Sequence, residues 1–338
     1  AIKIINEDLK SKSRMFRLLQ GDVGSGKTIV SMIAAVNCIN AGYQTSFMVP
    51  TEILAKQHFS FAKKYLPKNI KIEMLTGKSK YADRKKILEN LKLGKIDFLI
   101  GTHALFQKKV EYNKLGLIII DEQHKFGVRQ RKELSEKGGN NCDVLVMSAT
   151  PIPRTMMMTV YGDMDLTLIK EKPKNRKKIV TYSKLEDKIS EIIKFVKKEI
   201  SNKNQIFWVC PLIEESKKVE QQSVVNKFKY LEKYFKNRIG LIHGSLEKDE
   251  RNKILNNFLD RKLDILVSTT VIEVGIDFPN ANVIVIENAD KYGLSQLHQL
   301  RGRVGRGSKE SYCILMFKSS LSENAKKRIN ILKSSDDG

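Results

Sequence analysis

Long apolar runs are missing from this chain. No stretch of its 338 residues approaches the ~18 consecutive apolar side chains of a membrane-spanning helix, and no secretory signal peptide is present. Cysteine is scarce. Cys38, Cys142, Cys210 and Cys313 lie far apart in apolar contexts and form no C-x-x-C pair. That spacing argues against a metal site or a disulfide framework and suits buried free thiols in a reducing compartment. Low-complexity tracts and short-period repeats are absent. Acidic residues are in deficit, 38 against 61 Lys and Arg, which leaves a net charge of +23 and a pI near 9.7. This balance invites a nucleic-acid partner. Only 14 of the basic residues are arginine, however, and Ile and Asn are abundant too, so part of the lysine excess is coding composition on a solvated surface. A soluble intracellular protein is expected, and its arginines are the sharper signal.

What is present begins with Gly21-Asp22-Val23-Gly24-Ser25-Gly26-Lys27-Thr28, a complete G-x-x-x-x-G-K-T phosphate loop. Its glycines let the backbone curl so that successive N–H groups face a polyphosphate. Lys27 is suited to the β- and γ-phosphates and Thr28 to Mg²⁺. Arg17 to Gln20 reads as the strand before the loop and Ile29 to Ile39 as the helix after it, with its positive end toward the phosphates. ATP with Mg²⁺ is therefore the expected ligand pair.

About a hundred residues on, the aliphatic run Leu117 to Ile120 has the pattern of a strand buried on both faces of a parallel sheet. It ends in Asp121-Glu122-Gln123-His124. Carboxylates at such a strand end sit where open α/β sheets bind ligands. Asp121 is expected to hold Mg²⁺ opposite Thr28, and Glu122 to orient or deprotonate the attacking water.

At this length two domains are expected, and apolar β-branched runs alternate with helical stretches twice over. The expected fold class is α/β, two tandem domains, each a mainly parallel sheet flanked by helices. First-half strands are expected at Thr45–Val49, Ile72–Leu75, Phe98–Gly101, Leu117–Ile120 and Val144–Ser148. Second-half strands are expected at Gln205–Cys210, Ile239–Ile242, Ile265–Ser268, Val283–Glu287 and Tyr312–Phe317. Helices are expected near Lys188–Ile200, Val224–Phe235, Asp249–Leu259 and Ser295–Leu300. The charged, Pro-containing stretch from Lys170 reads as a linker. The division is thus a nucleotide-binding domain at 1–169, a linker at 170–178, a second domain at 179–318 and a helical segment at 319–338.

The loops at these strand ends carry the pattern of a superfamily 2 helicase core, which implies two RecA-like lobes with ATP in their cleft. Pro50-Thr51-Glu52, Leu75-Thr76-Gly77 and Gly101-Thr102-His103 offer small hydroxyl and backbone donors suited to gripping strand phosphates without reading bases. Ser148-Ala149-Thr150 follows the next strand. His243-Gly244, Ser268-Thr269-Thr270 and Glu273-Val274-Gly275-Ile276-Asp277 form the corresponding rims of the second domain, with Asp277 on the nucleotide side. Gln299-Leu300-Arg301-Gly302-Arg303-Val304-Gly305-Arg306-Gly307 supplies closely spaced arginines, among which Arg303 and Arg306 are the candidate arginine fingers. Most of the five histidines fall in or beside these loops and are taken as positional rather than catalytic.

Several segments resemble the RecG family more narrowly. They are Arg17 to Thr28, Pro50-Thr-Glu-Ile-Leu-Ala-Lys-Gln-His58, Ile119-Ile-Asp-Glu-Gln-His-Lys-Phe-Gly-Val-Arg-Gln-Arg131 and Ala149-Thr-Pro-Ile-Pro-Arg-Thr155. Trp208-Val-Cys-Pro-Leu-Ile-Glu-Glu-Ser216, Thr269 to Ala281 and Gln296 to Gly307 extend the likeness over essentially the whole chain. The resemblance implies an ATP-dependent DNA helicase and translocase. Its implied work is branch migration of Holliday junctions and regression of stalled forks in repair and recombination. Branched or duplex DNA and single-stranded DNA-binding protein are the implied partners, with a monomer in the bacterial cytoplasm at nucleoid replication forks as the setting. Departures are mild: Lys125 where arginine is usual, and Ser245-Leu246 after His243-Gly244.

The family's wedge domain and adenine-contacting glutamine lie outside this sequence, and Leu321 to Lys333 reads as the first helix of its translocation hairpin. A fragment is therefore expected. The transcription–repair coupling translocase is the nearest rival, separated by Gln123 and by the Trp208 to Ser216 segment, with an RNA-directed superfamily 2 helicase next. A transport- or clamp-type ATPase would need an LSGGQ-like signature, which is absent.

Overall fold

In the computed structural model, residues 1–21, 24–121, 142–148, 164–169, 178–211, 217–269, 278–305, 309–318 and 321–334 are described. The chain divides into two compact units, Ala1–Pro173 and Lys174–Gly338.

The first unit is built on a seven-stranded parallel sheet in the order β3-β4-β2-β5-β6-β1-β7. Its strands are β1 Phe16–Gly21, β2 Gln44–Met48, β3 Ile72–Leu75, β4 Phe98–Gly101, β5 Leu115–Ile120, β6 Asp143–Ser148 and β7 Asp165–Ile169. Helices α1 Ile2–Lys10, α2 Lys27–Asn40, α3 Glu52–Tyr65 and α4 Tyr81–Lys92 accompany them. The central strands are buried at nearly every position because both of their faces are covered. Leu18, Met48, Leu99, Ile118, Ile120 and Val146 meet in one buried cluster.

Parallel pairing fixes where the loops go. Leu18 of β1 and Ile120 of β5 both pair with Val146 of β6, so the loops after Gly21 and Ile120 leave the sheet at the same edge. The loops after β2, β3 and β4 leave there too.

The second unit has a six-stranded parallel sheet in the order β10-β11-β9-β12-β13-β8. It comprises β8 Ile179–Leu185, β9 Gln205–Val209, β10 Ile239–Ile242, β11 Ile265–Ser268, β12 Ala281–Ile286 and β13 Ser311–Phe317. Its helices are α5 Ile189–Ser201, α6 Lys217–Phe235, α7 Lys248–Leu259, α8 Leu294–Arg301 and α9 Glu323–Ser334. Trp208, Ile206, Val267 and Val285 anchor its separate core.

Five elements are absent from the sequence-based expectation: α1, α3, α4, β7 and β8. Strands β7 and β8 end their sheets; the side chains of β8 alternate between half-buried and exposed, and in β7 only Thr167 is buried, so neither forms a buried run. An edge strand needs no apolar signature, so it reads as loop. Helix α6 also begins seven residues before the expected Val224, across a polar stretch without apolar period.

Candidate nucleotide site and nucleic-acid rim

The phosphate loop joins β1 to α2. Gly24 and Gly26 have φ of 80° and 95°, the left-handed region that side chains rarely adopt. At Gly21 a Cβ would stand 2.5 Å from Ser25 Oγ, so the start of the loop tolerates no side chain without displacement. Lys27, at the first position of α2, is 9 % exposed and its Nζ donates to the Gly21 carbonyl at 2.7 Å. Thr28 is half-buried one residue on. Beside them, Gln20 Oε1 and Ser25 Oγ are buried with no hydrogen-bond partner. A curled glycine backbone, a lysine and unmatched polar atoms fit a polyphosphate.

Asp121 follows β5 directly. Its N–H donates to the Met48 carbonyl at 2.9 Å, extending the ladder with β2. Its carboxylate is buried and meets His58 Nε2 at 3.2 Å. A carboxylate at this sheet edge suits a hard cation. Glu122, Asp22, Val23, Asp277 and Arg306 lie outside the described residues.

The rim residues of the first unit stand in loops at that same edge. Half-buried Pro50 and Thr51 follow β2, and Thr51 Oγ1 caps α3 by accepting from Leu54 N–H at 3.3 Å. Thr102 follows β4 and is 2 % exposed, with Oγ1 unmatched, while His103 beside it is exposed. In the second unit, His243 and Gly244 follow β10; His243 is half-buried with Nδ1 unmatched, and Gly244 is exposed. Thr269, after β11, is buried with Oγ1 unmatched, as is its neighbour Ser268. Thr270 lies outside the described residues.

Arg303 is 4 % exposed. Arg301, two residues earlier, ties α8 to the end of α9. Its guanidinium donates to the Leu332 carbonyl at 2.7 Å and meets His298 Nδ1 at 3.2 Å. Sequence reasoning passed over His58 as the partner of Asp121; its place in the Pro50 to His58 segment was visible, its contact was not. The four cysteines are buried and free, and burial pushes Cys38 up to about 11 and Cys142 to about 12. Among the described residues no group of three or more His, Cys, Asp and Glu could hold a metal by itself, and no helix is long and apolar enough to cross a membrane.

Against known proteins, residues 2–159 match the DEAD/DEAH box helicase family and residues 172–308 the helicase conserved C-terminal domain. The ATP-dependent DNA helicase RecG of Streptococcus pneumoniae serotype 4 is 48% identical over 340 residues, 100% of this chain and 50% of that protein. RecG of Thermotoga maritima is 48% identical over 337 residues, 99% of this chain and 43% of its own length. The chain thus spans about half the length of the curated relatives it matches. A solved RecG bound to a three-way DNA junction superposes with a TM-score of 0.87 at 44% identity, covering 99% of this chain and 44% of that one. Saccharomyces cerevisiae Dbp5 bound to RNA and ADP BeF3 shares the fold alone, with a TM-score of 0.67 at 15% identity over 99% of this chain and 88% of that one.

Proposed function

Because the chain belongs to the RecG family of superfamily 2 helicases, we propose that its two tandem RecA-like domains are the ATP-driven motor of an enzyme that translocates on DNA and remodels branched junctions. The observation that carries this reading is the shared sheet edge at which the Gly21–Lys27 cradle and the Asp121 carboxylate emerge. Lys27 and the loop amides hold the phosphates, and Thr28 and Asp121 hold Mg²⁺, which when bound neutralises phosphate charge. Glu122 takes the proton of the attacking water. Asp277 belongs to the nucleotide site, and Arg303 and Arg306 supply positive charge to the transferring phosphoryl group.

Pro50, Thr51, Thr102, His103, His243, Gly244, Thr269 and Thr270 grip backbone phosphates, so the motor follows a strand whatever its sequence. Forks and Holliday junctions are the substrates, and fork regression in repair and recombination is the outcome. We assign the enzyme to the bacterial cytoplasm, nucleoid-associated at replication forks, acting as a monomer with single-stranded DNA-binding protein as a partner. The unmatched buried hydroxyls of Thr102 and Thr269 support the rim assignment, because a buried hydroxyl without a partner costs stability unless a ligand engages it.

ATP hydrolysis by this chain, measured with forked DNA, blunt duplex and single-stranded RNA, tests the proposal. Forked and duplex DNA should stimulate hydrolysis most, and the Lys27→Ala chain should show none. Equal or stronger stimulation by RNA would transfer the chain to the RNA-directed reading.

A further inference from the structure

His58 lies on the second turn of α3, whose first turn is capped by Thr51 of the rim. The ring is 8 % exposed. It leans on Phe47 of β2, centroids 4.7 Å apart and tilted by 44°, and Phe47 in turn meets Phe98 of β4 edge-on at 6.2 Å. Wedged this way, the imidazole has little freedom to rotate. Its Nε2 stands 3.2 Å from Asp121 Oδ2. A carboxylate can only accept, so Nε2 carries the proton and donates.

Resting on the reading of Asp121 as a cation ligand, we propose that His58 is a positioning residue: through Nε2–H it sets the rotamer of the Asp121 carboxylate that receives the divalent cation. Asp121 is the first residue beyond β5 and its backbone is fixed by the Met48 carbonyl. The side-chain torsion is what remains to be set. Carboxylate ligands are routinely oriented by a second hydrogen-bonded group, and losing such a group typically weakens metal binding 10–100-fold. A histidine packed only to fill space would give the same burial and ring contacts but would be replaceable by phenylalanine without effect on the cation.

The test is a titration of Mn²⁺, with a non-hydrolysable ATP analogue, followed by electron paramagnetic resonance. His58→Phe keeps the ring packing and removes the donor. It should bind Mn²⁺ about tenfold more weakly or worse, with the thermal unfolding of the first unit close to that of the parent. His58→Gln, which offers an amide N–H at similar reach, should recover most of the affinity. His58→Ala, small enough to fit if phenylalanine disturbs the fold, should reproduce the loss. Asp121→Asn should bind weakest of all. Parent-like Mn²⁺ affinity in folded His58→Phe and His58→Ala, with Asp121→Asn impaired, overturns the role of His58 and leaves the cation site standing. Parent-like affinity in Asp121→Asn as well removes the cation assignment and the positioning role with it.

Discussion

The guanidinium of Arg17 donates to Thr167 Oγ1 at 2.9 Å, deep in the first unit. Arg17 is 7 % exposed and also pairs with Asp8 of α1 and Asp165 of β7. One side chain on β1, four residues before the phosphate loop, therefore holds both the first helix and the edge strand.

Replacing Arg17 with methionine should cost the first unit about 2 kcal/mol, the scale of lost hydrogen bonds to a charged group. Trp208, the single tryptophan of the sequence, is fully buried in the second unit and donates to Glu287 Oε1 at 2.8 Å. Its fluorescence should report only the second core. Arg17→Met is expected to lower the first transition seen by circular dichroism and to leave the fluorescence midpoint in place. A shift of both together would mean that the two cores unfold as one.

Substitutions at the nucleotide site should separate into two behaviours. Lys27→Ala is expected to weaken ATP binding and hydrolysis together. Glu122→Gln should keep binding and lower turnover by about 10²–10⁴-fold, the usual worth of a general base. Arg306→Ala should follow Glu122→Gln, because a finger contributes chiefly in the transition state. Equilibrium binding of a fluorescent ATP analogue beside steady-state turnover distinguishes the two, and near-parent turnover in Glu122→Gln would move the base elsewhere.

The proposed phosphate contacts make a salt prediction. Affinity for duplex DNA should fall steeply with salt and barely depend on base sequence. Thr102→Val and Thr270→Val should lower DNA-stimulated hydrolysis and spare the basal rate. Neutralising lysines within 170–178 should leave the salt slope nearly unchanged. Loss of basal rate with stimulation preserved would count against the rim.

Asp143, at the start of β6, gives a pH prediction. Burial pushes its carboxyl up from 3.8 to about 6, against the lowering effect of the Met15 N–H and Arg14. The folded unit then holds this proton more tightly than the unfolded chain. Its contribution to stability is present below 3.8 and is lost as pH rises toward 6. Asp143→Asn, whose amide oxygen still accepts from Met15, should abolish that part of the slope. Unfolding of both proteins across this range measures it, and identical slopes would refute the assignment.

Much of the fold was legible because parallel strands buried on both faces write themselves as aliphatic runs. Leu117 to Ile120 is one, and the structure extends it only to Leu115. The phosphate loop was legible because its chemistry dictates residue type and spacing. The illegible parts depend on partners distant in sequence. His58 and Asp121 are 63 positions apart, and Arg301 reaches a carbonyl 31 positions on. A short edge strand such as Asp165–Ile169 carries no buried run, since only Thr167 of it is buried.

Those edge strands bear on how the chain behaves in bulk. Leu166 and Leu168 on β7, and Val180 and Tyr182 on β8, are exposed on strands that end their sheets. Strands that end a sheet invite pairing with a second chain. The net charge of +23 opposes it by pushing like molecules apart. Salt weakens that repulsion while leaving the edges unaltered. Ionic strength thus sets colloidal stability: the saltier the buffer, the more readily the chain sticks to itself.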